Sequence, residues 1–562
     1  MSKLLNSIGF FAHSCPEKPA LHFFRDGVET SISYAELNAR SKRFARYFQE
    51  LGLAPGSIVF LFLRHDRENY EAFIGAMMAG FIPSILPYPT PKQHPKPYWD
   101  AHEQLVTRVQ PGVVITFDEN VPAMLAIMGG SKQTIVVAQS DVVLPEEPGG
   151  KVADYTEDTV ALLQHSSGTT GLKKGVMLTH RQIDNQLQSY RDALGFGERD
   201  VVVSWLPLYH DMGLLSSFLL PLSSGATIVS IDAFEWVGRP LMMLELIETY
   251  AATFAWMPNF AFSHIRVNAE AKGAGPRNLG SLKAIISCSE PVRGQTLEMF
   301  RSAFASWNLP THAPQACYAM AETVFAISQS AMRHEPRIIA VSQSTLQDAA
   351  RAIVEIPEGD PDAATFVSNG KPISGVAVRI ATPSGPRIVS EGASSGAAGE
   401  IQVSGSFVFE GYFRNPEQSQ AAFTEDGWYR TGDIGFCADG ELFICGREKE
   451  LMIIHGKNYY VGDVEAAASA VEGVKAGRVV AFSVFNDKTD ADDCIVLAES
   501  DLVDSMDLRM IKRSIKQAIY DAVALTVKTV DIAPVGTLAK TTSGKMSRSQ
   551  NRDIWLQSKL EA

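Results

Sequence analysis

The chain has few cysteines, no long uninterrupted apolar run and no excess of basic charge. Its six cysteines (Cys15, Cys288, Cys317, Cys437, Cys445, Cys494) are scattered, and none is spaced Cys-x-x-Cys. That pattern suggests neither a zinc site nor a disulfide framework, and the plain expectation is a reducing, cytoplasmic setting. The most apolar stretch, Phe73 to Pro89, is broken by Pro83 and Pro87 and is too short to cross a bilayer as one helix, so no transmembrane segment is expected. Met1 to Cys15 lacks an extended apolar segment and carries one basic residue, Lys3, so it does not read as a signal peptide. A net charge of −13 argues against a general nucleic-acid binder, which is usually basic. No regular repeat marks a solenoid. With 562 residues, 46% of them hydrophobic and 20% charged, the chain is expected to be a globular protein of several domains or subdomains.

Residues 164–175, Gln-His-Ser-Ser-Gly-Thr-Thr-Gly-Leu-Lys-Lys-Gly, organise the rest. Glycines at 168, 171 and 175 let backbone approach a ligand. The hydroxyls of Ser166, Ser167, Thr169 and Thr170, the loop N–H groups, and Lys173 and Lys174 suit phosphate oxygens. No register gives the Gly-x4-Gly-Lys-Ser/Thr of a Walker loop. The apolar run Thr159 to Leu163 reads as a buried strand, with the loop leaving a sheet edge. Upstream, Ser33-Tyr-Ala-Glu36 is a capping box opening a helix with Leu37, Phe44, Phe48 and Leu51 at helical spacing. Helices alternating with short strands such as Ile58 to Leu63 indicate an α/β fold. Residues 328–366 have little apolar periodicity and read as an insertion or surface excursion. Short strands and Gly-rich turns from Gly370 to Ile444 suggest a β-rich subdomain, and the last hundred or so residues a compact α+β domain. From Asp501 onward ten Lys/Arg against seven Asp/Glu give +3, opposite in sign to the whole chain.

Six further motifs follow in order: Pro207-Leu-Tyr-His-Asp-Met-Gly213, Ser289-Glu290-Pro291, Tyr318-Ala-Met-Ala-Glu322, Trp428-Tyr-Arg-Thr-Gly-Asp433, Gly446-Arg-Glu-Lys-Glu450 and Lys540-Thr-Thr-Ser-Gly-Lys545. With the loop they resemble the adenylate-forming superfamily of acyl-CoA synthetases, luciferases and peptide-synthetase adenylation domains, from about Ser7 to Arg552. The resemblance implies an N-terminal domain, 1–446, of α/β subdomains plus the β-rich subdomain at about 370–445. It also implies a small mobile domain, 447–562, pivoting near Lys449. It implies that Ser166, Ser167, Gly168, Thr169, Thr170 and Lys174 hold the ATP phosphates. Ser289, Glu290 and Pro291, with Tyr318, Ala319 and Met320, would line the adenine. Glu322 would bind Mg²⁺, Asp433 the ribose hydroxyls with Arg447 nearby, and Lys545 would bridge the carboxylate and α-phosphate.

A fatty carboxylate has a pKa near that of Glu, about 4.3, so it is ionised at pH 7 and needs no general base. It must meet an anionic α-phosphate, so positive charge and alignment are what the site has to supply. Expected walls of an acyl pocket are Phe234, Trp236, Trp256, Met257, Phe260 and Phe262, aromatics that serve equally as core. His210 reads either as a neighbour of the carboxylate or as a satisfied structural histidine. Tyr209-His-Asp-Met-Gly-Leu214, Ser289-Glu-Pro-Val-Arg293, Phe366-Val-Ser-Asn-Gly-Lys-Pro372, Lys449 to Tyr460 and the segment before Phe366 resemble the fatty acyl-AMP ligase branch. That branch hands its acyl-adenylate to the phosphopantetheine thiol of an acyl carrier protein. The alternatives are an acyl-CoA synthetase and a catalytically silent nucleotide- or lipid-binding protein. Departures include Tyr318-Ala319 for Tyr-Gly, Lys173-Lys174 for Pro-Lys, no proline after Tyr460, and Ser289 where Gly or Ala is commoner.

Overall fold

The computed structural model describes residues 2–560, except 90–94, 130–133, 148–152, 167–173, 347–350, 391, 395, 455–456, 476, 487–490, 503 and 541–545. Its contacts divide the chain into two compact units. One comprises 1–337, 369–377 and 403–429; the other comprises 338–368, 378–402 and 430–562.

The first unit is a layered α/β assembly. Its largest sheet has nine strands, in the spatial order Lys371–Pro372, Ala326–Gln329, Pro314–Ala319, Ala284–Ser287, Phe254–Met257, Val201–Ser204, Thr227–Ile231, Pro19–Arg25 and Val28–Ser33. The six strands from Pro314–Ala319 across to Pro19–Arg25 run parallel. Their near-continuous apolar composition (Val-Val-Val-Ser, Phe-Ala-Trp-Met, Ala-Ile-Ile-Ser) is what strands covered on both faces require. A second, four-stranded parallel sheet is ordered Ile82–Ile85, Ile58–Phe62, Val113–Thr116, Ile135–Ala138. The helix Tyr34–Glu50 starts at the expected capping box. Ser33 Oγ accepts the Glu36 N–H at 3.2 Å, and Glu36 Oε2 accepts the Ser33 N–H at 2.9 Å. It packs tightly on the helix Arg67–Met78, where a Cβ added at Gly75 would lie 2.5 Å from Phe44 Cβ.

The phosphate-loop strand differs from expectation. Val160–Ser166 leaves no large sheet; it forms a separate antiparallel hairpin with Lys174–Thr179, placing Ser166 opposite Lys174. The hairpin's outer strand is extended by residues 411–413. Val176 bridges Tyr412, the Phe413 N–H donates to Gly175 O at 2.8 Å, and the Met177 N–H donates to Gly411 O at 3.3 Å.

In the second unit, Tyr429–Ala438 and Glu441–Arg447 form one side of a five-stranded sheet. The excursion before Phe366 is not a bare loop. Ile338–Ser342 and Ala363–Val367 pair antiparallel, and Ile339, Val341, Leu346 and Phe366 share a core with Phe436, Phe443 and Tyr460. Its apolar residues are few but cross-strand paired, so alternation was hidden by the acidic turn between them. The C-terminal part is a three-stranded sheet (Val479–Asn486, Ala491–Ser500, Thr529–Pro534) with the helices Val461–Ser469 and Ser505–Val523 around Val464, Val496, Ile511, Ile515 and Ile519. Arg548 joins Glu465 through two bonds, of 2.8 and 2.7 Å, and reaches Glu450 at 2.5 Å, tying the helix Arg548–Leu560 to the turn beside Lys449.

Candidate active site

Five parallel strands of the first unit end in segments that carry candidate residues. Val201–Ser204 leads into the 205–213 segment, Thr227–Ile231 into 232–236, Phe254–Met257 into 258–262, Ala284–Ser287 into 289–291, and Pro314–Ala319 into 320–322. Parallel registry puts all these exits at one edge of the sheet, the carboxyl edge where open α/β sheets receive ligands. Hydrogen bonds tie the exits to one another and to the hairpin. Gln164 Nε2 donates to Tyr209 O at 2.9 Å, and the Phe260 N–H donates to Glu290 Oε2 at 3.2 Å.

His210 sits in a turn in which its N–H donates to Pro207 O at 3.2 Å and its carbonyl accepts the Leu214 N–H at 2.8 Å. Asp211 caps the helical turn that follows, accepting the Met212 N–H at 2.8 Å. Gly213 is required here by space: a Cβ would stand 2.2 Å from Pro207 O. Ser289 has φ +67°, a left-handed conformation that glycine adopts without strain.

Glu322 lies in a closed loop, with the Met320 N–H donating to Phe325 O at 3.0 Å. Val324, fully buried, has φ +62° and ψ −50° between Thr323 O and the Phe325 N–H, which bond at 2.6 Å. A β-branched residue in such a γ-turn is strained by about 1–3 kcal/mol, the kind of cost that clusters at functional sites. Tyr412 donates its hydroxyl to Glu322 Oε1 at 2.9 Å, and Lys174 Nζ stands 4.6 Å over the Tyr412 ring. Tyr429 also meets the Tyr412 hydroxyl; burial above all, and then the Glu322 charge, push its phenol well above the usual range. Tyr318 is buried beside this group, in the ladder opposite Ser328.

The expected acyl walls separate into two sets. Trp256 and Met257 are fully buried strand residues, and Trp256 Nε1 donates to Tyr190 OH at 2.9 Å. Phe262 packs on Phe300. Trp256 and Met257 are sheet core, and Phe262 belongs to the packing of the helix Asn259–Ala271 on the helix Gly294–Phe304. Phe234 and Phe260 are exposed at 43% and 48%, and Phe260 sets its edge against Trp236. Trp236 stacks on Trp205, a residue that sequence reasoning passed over, at 3.7 Å and 1°. Both indole N–H groups are buried without a hydrogen-bond partner among the described residues. Trp205 was legible as the first residue after its strand; Tyr412 was legible only as the aromatic of Gly411-Tyr-Phe.

In the second unit Asp433 and Arg447 face each other across antiparallel strands, with Arg447 Nε 3.1 Å from Asp433 Oδ1. Asp433 is buried, while the Arg447 side chain is half exposed. Ser167, Gly168, Thr169, Thr170 and Lys545 lie outside the described residues, as does the side chain of Ser166. Pro291 and Ala319 are in place beside Glu290 and Tyr318. Among the described residues no three His, Cys, Asp or Glu side chains cluster as a metal cage. Glu322 Oε2 makes no hydrogen bond there. A single carboxylate fits Mg²⁺, which keeps waters and arrives on substrate phosphates, better than it fits a cage-bound cation. Among the described residues no helix is long and apolar enough to cross a membrane.

Joining a carboxylate to AMP asks for a phosphate-gripping loop, a flat slot for a base and an apolar recess at one sheet edge. The candidate residues gathered at this sheet edge, beside the hairpin that flanks the phosphate-loop motif, suit the class of ATP-dependent adenylate-forming enzymes. Comparison with known proteins agrees: the model of the AMP-binding enzyme family matches residues 11–413, and the chain belongs to that family. It is 30% identical to the long-chain-fatty-acid–AMP ligase FadD32 of Mycolicibacterium smegmatis, over 96% of this chain and 91% of that protein. It is 26% identical to the medium-chain-fatty-acid–[acyl-carrier-protein] ligase JamA of Moorena producens, over 100% and 96%. A solved structure from work on the fatty acyl-adenylate ligases of E. coli and L. pneumophila superposes with a TM-score of 0.89 at 25% identity, covering 100% of this chain and 98% of that one.

Proposed function

We propose that this protein is a fatty acyl-AMP ligase that charges an acyl carrier protein. The convergence of five loops at the carboxyl edge of one parallel sheet, beside the hairpin of the phosphate-loop motif, supports the adenylating site, and the relatives named as fatty-acid–AMP and acyl-carrier-protein ligases support the acid and the acceptor. One carboxylate oxygen of the fatty acid attacks the α-phosphorus of ATP; the bond to the bridging oxygen breaks and pyrophosphate leaves. The thiolate sulfur of a phosphopantetheine arm then attacks the acyl carbon, and AMP departs with its phosphate oxygen. Ser166 to Thr170 and Lys174 hold the β- and γ-phosphates in this reading. Ser289 to Pro291 and Tyr318 to Met320 bracket the adenine, and Asp433 with Arg447 takes the ribose. Lys545 bridges the two anions that must meet. Glu322 would hold Mg²⁺, which would supply positive charge against the phosphates. His210 neighbours the carboxylate in this reading. The 447–562 domain pivots near Lys449 between the two half-reactions, and the setting is cytoplasmic.

The test is incubation with Mg-ATP, a panel of short to long fatty acids, CoA and a holo acyl carrier protein, with products followed by mass spectrometry. Acyl-AMP, acyl-carrier product and almost no acyl-CoA are expected. Efficient acyl-CoA formation would make the protein an acyl-CoA synthetase instead, and no adenylate from any acid would leave a binding protein.

A further inference from the structure

We infer that Tyr412 is a positioning residue for the metal carboxylate: it holds one oxygen of Glu322 so that the other remains available to the Mg²⁺ of Mg-ATP. The inference rests on the reading of Glu322 as the metal ligand. Tyr412 is itself fixed. Its N–H donates to Ser419 Oγ at 2.8 Å, and the neighbouring Gly411 lies so close that a Cβ there would meet that Oγ at 2.8 Å. The same segment holds Glu322 at both ends, because the Phe409 N–H donates to Glu322 O at 2.8 Å while the Tyr412 hydroxyl takes Oε1 at 2.9 Å.

The chemistry of the donor matters. A neutral phenol occupies one lone pair and leaves the full negative charge of the carboxylate for a cation. Lys174, the cation next to it, is held over the Tyr412 ring face at 4.6 Å. Cation–π attraction of that kind is worth about 0.5–1 kcal/mol at an exposed site and more when desolvated. The contact ties the ammonium that flanks the phosphate-loop motif to the same phenol that orients Glu322 with its hydroxyl. The 411–413 segment also lines the outgoing strand of the phosphate loop, so the metal carboxylate and the loop are referenced to one element.

The test is Tyr412→Phe, which keeps the ring and its packing on Phe409 and removes the hydroxyl. Mn²⁺ would be titrated by electron paramagnetic resonance into the full-length protein holding a non-hydrolysable ATP analogue. Glu322→Gln and the double variant would be run alongside, with thermal midpoints as a check on folding. Tyr412→Phe is expected to weaken Mn²⁺ binding about five- to tenfold with an unchanged midpoint, and to add nothing in the Glu322→Gln background. Parent-like Mn²⁺ binding by Tyr412→Phe, with Glu322→Gln weakened, overturns the role of Tyr412 alone. Parent-like binding by Glu322→Gln overturns the metal reading of Glu322 and this inference with it. Additive losses in the double variant also overturn it, since Tyr412 would then act independently of Glu322.

Discussion

Gly213→Ala is a small change with a calculable consequence. The added methyl would stand 2.2 Å from Pro207 O, 2.8 Å from Pro207 C and 3.1 Å from Leu206 O, all backbone atoms. Ordinary contact needs about 3.5 Å, so something must move by roughly 1 Å. Pro207 O cannot yield alone, because it accepts the His210 N–H that closes the turn. The displacement therefore passes into the 205–211 segment, which the hairpin grips through Gln164 and Tyr209. Overpacking of this type costs about 1–3 kcal/mol of stability. A misplacement of about 1 Å at reacting groups costs up to 10²-fold in rate. The expected result is a fall of about 10²-fold in ATP–pyrophosphate exchange with a folded protein. Gly238→Ala is the control: nothing lies within 4 Å of its Cβ, and it ends the helix Ala233–Gly238, so exchange should be unchanged. A Gly213→Ala variant exchanging within threefold of the parent would refute the placement of this segment at the reacting centre.

Other perturbations separate structural from functional roles. Ser289→Gly relieves a left-handed serine, which by itself costs about 1 kcal/mol, partly offset by glycine's extra unfolded-state entropy, so denaturant midpoints should rise slightly. Trp236→Ala decides between wall and core. A wall residue gives a shift toward longer acids in the product panel, whereas a purely core residue gives about 3–5 kcal/mol of destabilisation and no shift. Arg548→Ala strips the cation from Glu465 and Glu450. The three side chains are 30%, 16% and 34% exposed, so the loss should fall between exposed and buried pairs, at about 2 kcal/mol in urea unfolding. His180 is depressed to about 4, chiefly by burial, and lies flat against Tyr155 at 4.1 Å and 8°. Its folded pKa is below its unfolded value of about 6.5, so its neutral form contributes stability in full above pH 6.5 that is lost as pH falls toward 4. His180→Phe should flatten that part of the stability–pH curve relative to the parent.

The Ser33 capping box was legible from spacing. Glu322 and Asp433 were singled out through the resemblance carried by the short motifs that contain them. What sequence could not give is the partner that comes from far along the chain. Tyr412 meets Glu322 across 90 residues, and no local pattern announces a hydroxyl aimed at a carboxylate. The aromatic candidates are harder to sort from sequence, because Trp256 within its strand and Trp236 in the helix Ala233–Gly238 are chemically alike and equally buried. The excursion at 338–368 was hidden because its apolar residues pair between two strands separated by an acidic turn, and neither strand alone has enough alternation to register.

The division of the two compact units has a consequence for synthesis. Each is assembled from three separated stretches of chain: the unit begun by residues 1–337 is completed by 403–429, while the other begins at 338 and is completed only after 430. At a translation rate of about 5–20 residues per second, several seconds pass between the emergence of Glu322 and that of Tyr412. Throughout that interval the nascent chain carries an unlined hairpin edge, a strained turn at Val324 without its 409–412 support, and a carboxylate without its phenol. Chaperone dependence during expression should therefore peak for ribosome-bound chains stalled between these two residues, and chains released before Tyr412 emerges should be the ones that aggregate.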